Sequence, residues 1–319
     1  MNVASSRPTE HRTLTDILPG YLDGLNADGK AAHTVASTNL DLQQLARFLG
    51  RQTLGTVTPD DLRAFFAWLG RQQGNRSSSL RRKTATVKVL FRQLAAQGDL
   101  EHDPAAELLY PALVTDEATP LTVREVESIV AAATSPSWRA LILCLTDAGL
   151  KRDEVVALRR EDIELLDSSS GADGPGRLHV RHRRATKRVK QRTLALTERL
   201  ADALATRQAA AESASRETVF DISARGVDFV VETCGQRAGI RLGTRVTPKQ
   251  LRDAFACARV RTFQAREATA ADDPVRLRTL RREHDALLLV ELGLARASVV
   301  PDRYRRMVSG LQGDRAEQG

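Results

Sequence analysis

The stretch LLLVELGLARASVVPDRYRRM, residues 287–307, decides how the end of this chain is interpreted. Its apolar residues predict a helical run that closes on Tyr304, one of three tyrosines in the 319 residues. The residues around that tyrosine are basic: Arg303, Arg305 and Arg306. A phenol in a positive field is suited to attack a phosphate, but a tyrosine among arginines is also common on a solvated helix face. Taken alone, the stretch leaves both interpretations open.

The composition limits both the fold and the partner. A chain of 319 residues is too long for one small core and predicts two domains. The 48 Lys and Arg against 40 Asp and Glu give a net charge of +8, which favours a polyanion such as nucleic acid as partner. Arginine outnumbers lysine, and its planar guanidinium suits bidentate contacts to phosphate. A GC-rich genome would also enrich arginine and alanine.

The cysteines and the apolar runs indicate the cellular compartment in which the protein is expected. Cys144, Cys234 and Cys257 lie far apart and form no CxxC pair, so neither a disulfide framework nor a zinc site is predicted. We expect no cofactor and no metal, and a reducing cytoplasm as the compartment. No apolar run approaches the roughly 18 residues that span a bilayer, and the start MNVASSRPTEHR lacks the apolar core of a signal peptide. A membrane partner is therefore not expected.

The first part of the chain predicts a helical domain over residues 13–113, after a disordered start at 1–12. Apolar residues recur at helical spacing over 14–25, 32–50 and 80–97. Thr58 followed by Pro59 predicts a capped helix through Leu69, and residues 73–79 predict a loop. A short last helix is expected to begin at Asp103, before a linker at 114–119.

Basic residues gather at and before the start of the fourth predicted helix. They are Arg76, Arg81, Arg82, Lys83 and Lys88. A solvated basic face is one interpretation. A contact to the DNA backbone is the other, because the dipole of a helix adds positive potential at its start. The residues by themselves do not decide between the two.

Residues 120–308 predict a second, larger domain with a tail at 309–319. Thr122 and Glu125 stand at capping-box spacing, and residues 137–149 predict a buried helix that ends on Gly149 in a left-handed conformation. A short strand is expected at 163–166. Residues 178–196, LHVRHRRATKRVKQRTLAL, alternate apolar and basic side chains as a hairpin would.

Five boxes in this second domain resemble the tyrosine recombinases, the phage-integrase or Xer-type family. In chain order they are PLTVREVESIV (120–130), AGLKRDEVVALRREDIEL (148–165), TKRVKQRTLAL (186–196), TPKQLRDAFA (247–256) and ELGLARASVVPDRY (291–304). The resemblance covers almost the whole chain. It implies a mainly α fold with a small β-hairpin or sheet, in which a helical, SAM-like core-binding domain and a catalytic domain close around duplex DNA.

The resemblance also implies roles for individual residues. Tyr304 becomes the nucleophile that forms a 3′-phosphotyrosyl intermediate, and Lys187 becomes the acid that protonates the departing 5′ oxygen. The phosphate contacts fall to Arg252, Lys151 and Lys249. Glu154 and Arg152 support them. Further DNA contacts are implied for the hairpin: Arg183, Arg184, Arg188 and Lys190.

Members of this family act as homotetramers on paired double-stranded DNA sites. The resemblance implies the same for this chain, with a monomer as the alternative in the absence of DNA. It also implies a cytoplasmic, nucleoid-associated location.

The chain departs from the family pattern at several positions. Lys151 stands where the family has its first arginine, Lys249 and Asp253 stand where the second box has histidines, and Leu294 replaces a histidine or tryptophan. Residues 273–289 predict an extra helix in an unusually long stretch. Two functions follow: a site-specific recombinase or integrase with an unusual site, or a catalytically impaired relative that clamps duplex DNA without efficient cleavage.

Overall fold

A computed structural model of the chain describes residues 9–75, 77–112, 120–166, 174–183, 189–209, 217–240, 245–294 and 299–316. The described residues fall into two compact units, one within residues 9–112 and the other within 120–316. Within these ranges the secondary structure comprises twelve α-helices and one three-stranded sheet. The expected class, mainly α with a small β element, is therefore confirmed.

The first unit is a helical bundle. Its helices are α1 (Leu14–Ala27), α2 (Ala32–Leu49), α3 (Pro59–Arg71) and α4 (Ser77–Ala96). The Thr58 hydroxyl accepts a hydrogen bond from the Asp61 amide, so the predicted cap of α3 is confirmed. The apolar sides of the helices meet in a core built around Phe65 and Phe91, both essentially inaccessible to solvent.

Two predictions for the first unit were wrong in detail. Helix α4 begins at Ser77, inside the segment that predicted a loop. Residues 104–107 form turns and not a helix, because the Asp103 carboxylate accepts the amide of Ala105 and closes a local turn. A short polar side chain that binds its own backbone thus outcompetes a helix that has few residues with which to propagate.

The second unit is larger and places its sheet beside helices. The helices are α5 (Val123–Ala131), α6 (Pro136–Thr146), α7 (Arg152–Ala157), α8 (Glu198–Ala209), α9 (Ala224–Arg237), α10 (Pro248–Ala268), α11 (Pro274–Glu291) and α12 (Val299–Ala316). The strands are β1 (Ile163–Leu165), β2 (Gly176–Arg183) and β3 (Val189–Ala195), antiparallel in that order. The predicted hairpin and the short strand before it are confirmed.

Two apolar clusters stabilise the second unit. The larger one surrounds α6, whose residues 140–146 are all buried, and it takes in Leu178 and Leu194 from the sheet. The smaller cluster lies between α10, α11 and α12 and contains Phe255, Phe263 and Tyr304. The tyrosine-bearing helix is therefore packed on α10 and α11.

Residues 287–307 are divided between two helices. Helix α11 ends at Glu291, and α12 begins at Val299. Gly293 has φ of +57°, a left-handed conformation that stops α11. Pro301 lies in the first turn of α12, where the missing amide hydrogen removes no helical bond. Helix α12 continues to Ala316, so much of the expected tail is helical.

The extra helix predicted at 273–289 is confirmed as α11, and the Asp273 carboxylate caps it. A buried ion cluster joins it to its neighbours. Glu267 of α10 accepts bonds of 2.9 Å from His284 Nδ1 of α11, and of 3.0 Å and 2.9 Å from the guanidinium of Arg305. Arg305 follows the tyrosine directly in α12. The inserted helix therefore stabilises the position of the tyrosine-bearing helix.

None of the helices within the described ranges combines the length and the apolar character that crossing a bilayer requires.

Gly149 is expected to be intolerant of any side chain. Its φ is +57°, as the sequence predicts, and a Cβ there would overlap the ring of Phe255. Gly149→Ala should lower the free energy of unfolding by about 2–4 kcal/mol, from left-handed strain together with overpacking. Urea unfolding measures this. The matched control is Gly239→Ala, with φ of +69° but no atom near its Cβ position; a similar loss in both variants would contradict the packing argument.

The Glu267 cluster should contribute substantially to stability. Glu267→Ala leaves the buried imidazole of His284 without its carboxylate and leaves the half-buried Arg305 with Asp285 alone, which should cost about 3 kcal/mol. Thermal or urea unfolding checks this value. Glu283→Ala removes an exposed carboxylate from α11 and should change stability by no more than about 0.5 kcal/mol. Equal effects of the two substitutions would show that the buried cluster contributes nothing specific.

Candidate active site

A pocket of about 400 Å³ opens in the second unit at the start of α10. Its lining residues are Lys151, Arg152, Asp153, Asp228, Thr247, Pro248, Lys249 and Arg252. Four of the eight side chains are cationic, and the first amides of α10 add the positive end of a helix dipole. An anion the size of a phosphate fits this charge distribution. Three predicted phosphate ligands, Lys151, Lys249 and Arg252, are thus brought together.

Arg252 is the buried cation of the pocket, with 9% of its surface exposed. Its two terminal nitrogens donate to the carbonyl oxygens of Gly149 and Leu292. Burial lowers the pKa of Arg252 from its ordinary value, and the positive charge of Arg192 adds to this effect. The guanidinium therefore joins the turn before α7 to the end of α11 while it faces the pocket.

Lys151 occupies the N-cap position of α7. Its Nζ donates to the carbonyl oxygen of Gly293 over 3.3 Å and lies 3.6 Å from Glu154 Oε1. Burial lowers the pKa of Lys151, and the nearby charges of Arg252 and Arg192 lower it further, against the opposing effect of Glu154. The site thus carries a single ammonium where a guanidinium fork would make two parallel bonds.

Glu154 binds Arg192 and lies close to the ammonium of Lys151. Its side chain is buried and accepts bonds of 2.9 Å and 2.7 Å from Arg192, together with the Lys151 amide at 2.9 Å. Burial raises the pKa of Glu154, but the hydrogen bonds and charge of Arg192 outweigh it, so the net shift is downward.

Arg192 was not among the predicted site residues, although it binds both oxygens of Glu154, which in turn accepts the amide of Lys151. It lies on β3, where it pairs with the buried Val180 of β2, and its Nε donates to the carbonyl oxygen of Glu291. A signal was present in the sequence. The alternation that turns Leu194 inward also turns Arg192 inward, and an inward arginine requires a buried carboxylate.

Arg152 lies at the rim of the pocket and is bound there by two carboxylates. Its Nη1 is 3.0 Å from Asp228 Oδ2, and its Nε is 3.2 Å from Asp153 Oδ1. These bonds direct the guanidinium toward α9. Arg152 therefore does not replace the fork that Lys151 lacks.

Tyr304 is buried, with 5% of its surface exposed. Its hydroxyl donates to Asp253 Oδ1 over 2.7 Å. The other oxygen of Asp253 accepts Lys249 Nζ at 2.6 Å and Arg303 at 3.2 Å. One buried carboxylate thus separates the phenol from a cation of the pocket.

The surroundings of Tyr304 disfavour the phenolate. Burial raises the pKa of Tyr304 well above its usual range, and the charge and hydrogen bond of Asp253 raise it further. Arg303 and Arg252 act in the opposite direction. The phenol is therefore protonated in the described arrangement.

Leu294, at the position where the family has a histidine or tryptophan, packs against the apolar cluster that contains Tyr304. It contributes packing and no hydrogen bond from its side chain. Within the described residues, no group of histidine, cysteine and carboxylate side chains is arranged to hold a metal ion.

Several predicted residues lie outside the described part of the chain. These are Arg76, Lys187, Arg184 and Arg188. Arg183 and Lys190 lie in β2 and β3, but their side chains are not described. The expected roles of all six remain predictions.

The basic residues of α4 make contacts inside their own unit. Arg82 binds both oxygens of the buried Asp41, and Lys83 Nζ lies 3.1 Å from Asp41 Oδ1 and also donates to Gln44. Lys83 is 7% exposed, so its ammonium is not placed to meet a phosphate. The expected DNA contact of Lys83 is corrected to a structural role, since a buried ammonium requires a paired carboxylate.

Arg81 and Lys88 flank the ring of Tyr110. Their charged groups lie 4.9 Å and 5.7 Å from the ring centroid. Lys88 also donates to the carbonyl oxygens of Ala106 and Leu108, and Arg81 to that of Pro111. These cations hold the segment after α4 in place and remain near the surface.

Removing the charge of Asp253 should make Tyr304 easier to ionise. In Asp253→Asn the amide no longer opposes the phenolate, so the pKa of Tyr304 should fall, although burial still holds it above the ordinary value. Ultraviolet titration measures this shift. Subtracting the titration of the same variant with Tyr304→Phe removes the signals of Tyr21 and Tyr110. If the pKa of Tyr304 is unchanged in this variant, Asp253 does not control it more strongly than Arg303 and Arg252 do.

Comparisons with known proteins bear on the family and the fold of this chain. The model of the phage integrase N-terminal SAM-like domain matches residues 18–98. A tyrosine recombinase XerC from Roseiflexus sp. (strain RS-1) is 31% identical over 160 residues, which are 47% of this chain and 51% of that protein. The chain thus spans about half the length of that relative. A tyrosine recombinase XerC from Pseudomonas fluorescens is 26% identical over 255 residues, 75% of this chain and 80% of that protein.

Solved structures share the fold. A lambda integrase dimer bound to a COC′ core site matches with a TM-score of 0.67 at 15% identity, over 92% of this chain and 77% of that one. A lambda integrase tetramer bound to a Holliday junction matches with a TM-score of 0.62 at 17% identity, over 80% and 77%. Together with the ordered boxes, the matched SAM-like domain and the Xer relatives support the assignment of this chain to the tyrosine recombinase family.

Proposed function

We propose that this protein is a site-specific recombinase that cuts and rejoins duplex DNA through a covalent bond to Tyr304. The observation that carries the proposal is the pocket at the start of α10. It collects Lys151, Lys249 and Arg252 around a space of phosphate size, and the phenol of Tyr304 is one carboxylate away from Lys249.

The pocket accounts for stabilisation of the transition state. Attack on a DNA phosphodiester gathers negative charge on the oxygens of a five-coordinate phosphorus, and fixed cations lower the energy of that charge. Arg252 is held by two carbonyl oxygens and needs little reorganisation. Lys151 and Lys249 provide point charges, and the positive end of the α10 dipole adds to their potential.

The covalent step conserves the energy of the broken bond. The Tyr304 oxygen bonds to phosphorus and the bond to the 5′ oxygen breaks, so a phosphotyrosyl ester replaces the phosphodiester. Lys187 is the proposed acid that protonates the 5′ oxygen as it departs. Rejoining reverses these steps, and neither step consumes a nucleotide or requires a metal ion.

The proposed partner is double-stranded DNA. We expect four copies of the protein to bind two paired DNA sites. The basic composition and the DNA complexes of the matched integrase dimer and tetramer support this proposal. The proposed compartment is the cytoplasm, where the chromosome is accessible.

A second candidate is a recombinase-derived protein that binds DNA with little cleavage. The observation that favours it is the state of Tyr304, which is buried and bound to a carboxylate that raises its pKa. The single ammonium of Lys151 in place of a guanidinium fork points in the same direction. The two candidates make opposite predictions for a covalent adduct.

Incubation with a nicked suicide duplex should trap the adduct. The duplex carries a sequence selected from a random pool by binding to the protein. We expect a protein–DNA complex that survives denaturing electrophoresis and is absent from Tyr304→Phe. Arg252→Ala should reduce its rate of formation by about 10²–10³-fold, the usual effect of losing one donor to the transition state.

Binding provides the control for this experiment. Wild type and Tyr304→Phe should both shift the duplex, with the logarithm of the affinity falling by about 0.9 per neutralised phosphate against the logarithm of salt concentration. A salt-sensitive shift without any wild-type adduct would favour the second candidate. An absent or salt-insensitive shift would contradict both.

A further inference from the structure

Asp253 holds the nucleophile and a pocket cation at the same time. It follows Arg252 in α10 and is 4% exposed. Its Oδ1 accepts the Tyr304 hydroxyl at 2.7 Å, while Oδ2 accepts Lys249 at 2.6 Å and Arg303 at 3.2 Å. Because the two oxygens serve different partners, the cations leave Oδ1 facing the phenol.

The described charged and titratable groups that face Asp253 come from two helices. They are Lys249, Arg252 and Cys257 of α10, and Arg303 and Tyr304 of α12. Burial and the charge of Asp253 raise the pKa of Cys257 to about 11, so that thiol stays neutral. The other three neighbours, Lys249, Arg252 and Arg303, are cations. Within this set the phenol is the proton donor and Asp253 is the one carboxylate.

We propose that Asp253 accepts the proton of Tyr304 during attack on the DNA phosphate. This inference rests on the proposed function and assigns the base that it leaves open. As the bond between the Tyr304 oxygen and phosphorus forms, the O–H bond breaks and its proton passes to Asp253 Oδ1. The carboxylate becomes a neutral carboxyl, while the 5′ oxygen leaves with a proton from the acid. During rejoining the proton returns from Asp253 to the phenol.

The ordinary acidities explain why the transfer accompanies bond formation. A phenol with a pKa near 10 does not give its proton to a carboxylate beforehand. Once its oxygen donates electrons to phosphorus, the O–H group becomes strongly acidic and the transfer becomes favourable. The hydrogen bond already has the required length, and Lys249 and Arg303 restrain the carboxylate that receives the proton.

Single-turnover cleavage of the nicked suicide duplex tests this role. Asp253→Asn keeps an oxygen acceptor of the same size but cannot take a proton, so cleavage should slow by about 10²–10⁴-fold. The gap to wild type should narrow as pH rises, because hydroxide replaces the missing base. Asp253→Glu retains a base and should recover part of the loss. Asp302→Asn, which removes an exposed carboxylate of α12, should cleave at the wild-type rate.

A sulfur substitution separates the base from the acid. When sulfur replaces the 5′ bridging oxygen at the cleavage site, the leaving group departs as a thiolate and needs no proton. The substitution should relieve the defect of Lys187→Ala and leave the defect of Asp253→Asn in place. The affinity for DNA, measured in the same samples, should be no lower in Asp253→Asn than in wild type, because the variant loses a negative charge beside Lys249.

The outcomes of these experiments separate a failure of the proposed role of Asp253 from a failure of the proposed recombinase function. If wild type forms the adduct and Asp253→Asn forms it as fast or faster, Asp253 only restrains the phenol and the inference is wrong while the function stands. Rescue of Asp253→Asn by sulfur, or a rate gap that is constant with pH, also overturns the role as base. If wild type forms no adduct yet binds DNA, the proposed function fails, and the inference fails with it.

Discussion

The guanidinium of Arg252 is the interaction on which the candidate site depends. It bonds the carbonyl oxygens of Gly149 and Leu292, two turns that are far apart in sequence. Lys151 lies two positions after Gly149, and its ammonium binds the carbonyl oxygen of Gly293, next to Leu292. A buried cation with satisfied donors thus positions a second cation. The same guanidinium is left facing the pocket, where a phosphate would complete its charge balance.

Two buried carboxylates, Glu154 and Asp253, position the other charged groups of the site. Glu154 binds Arg192 and the Lys151 backbone and so holds the start of α7 beside β3, whereas Asp253 joins Lys249 to the phenol of Tyr304. A third carboxylate, Glu267, ties the tyrosine-bearing helix to the inserted α11. Each requires cations because an unpaired buried charge is costly. The arginine-rich composition therefore serves the interior of this protein as well as any contact with DNA.

Local patterns predicted most of the elements, and some of them failed for identifiable reasons. The capping threonines, the left-handed Gly149 and the alternating hairpin depend on neighbouring residues, so they were predictable. The helix expected at Asp103 was wrong because the side chain closes its own turn. The DNA contact of Lys83 was wrong because its partner, Asp41, comes from another helix. Arg192 was missed because its partner lies 38 residues earlier.

By itself the sequence indicated the family resemblance, the fold class and the cations that line the pocket, because these follow from ordered motifs and from residue types at given spacings. The tertiary structure alone decided the state of Tyr304. In the sequence Asp253 is only a departure from a family pattern, 51 positions before the tyrosine. Packing of α12 on α10 brings the carboxylate to the phenol and buries both. Burial and a hydrogen bond depend on which helices meet, and no local pattern specifies that meeting.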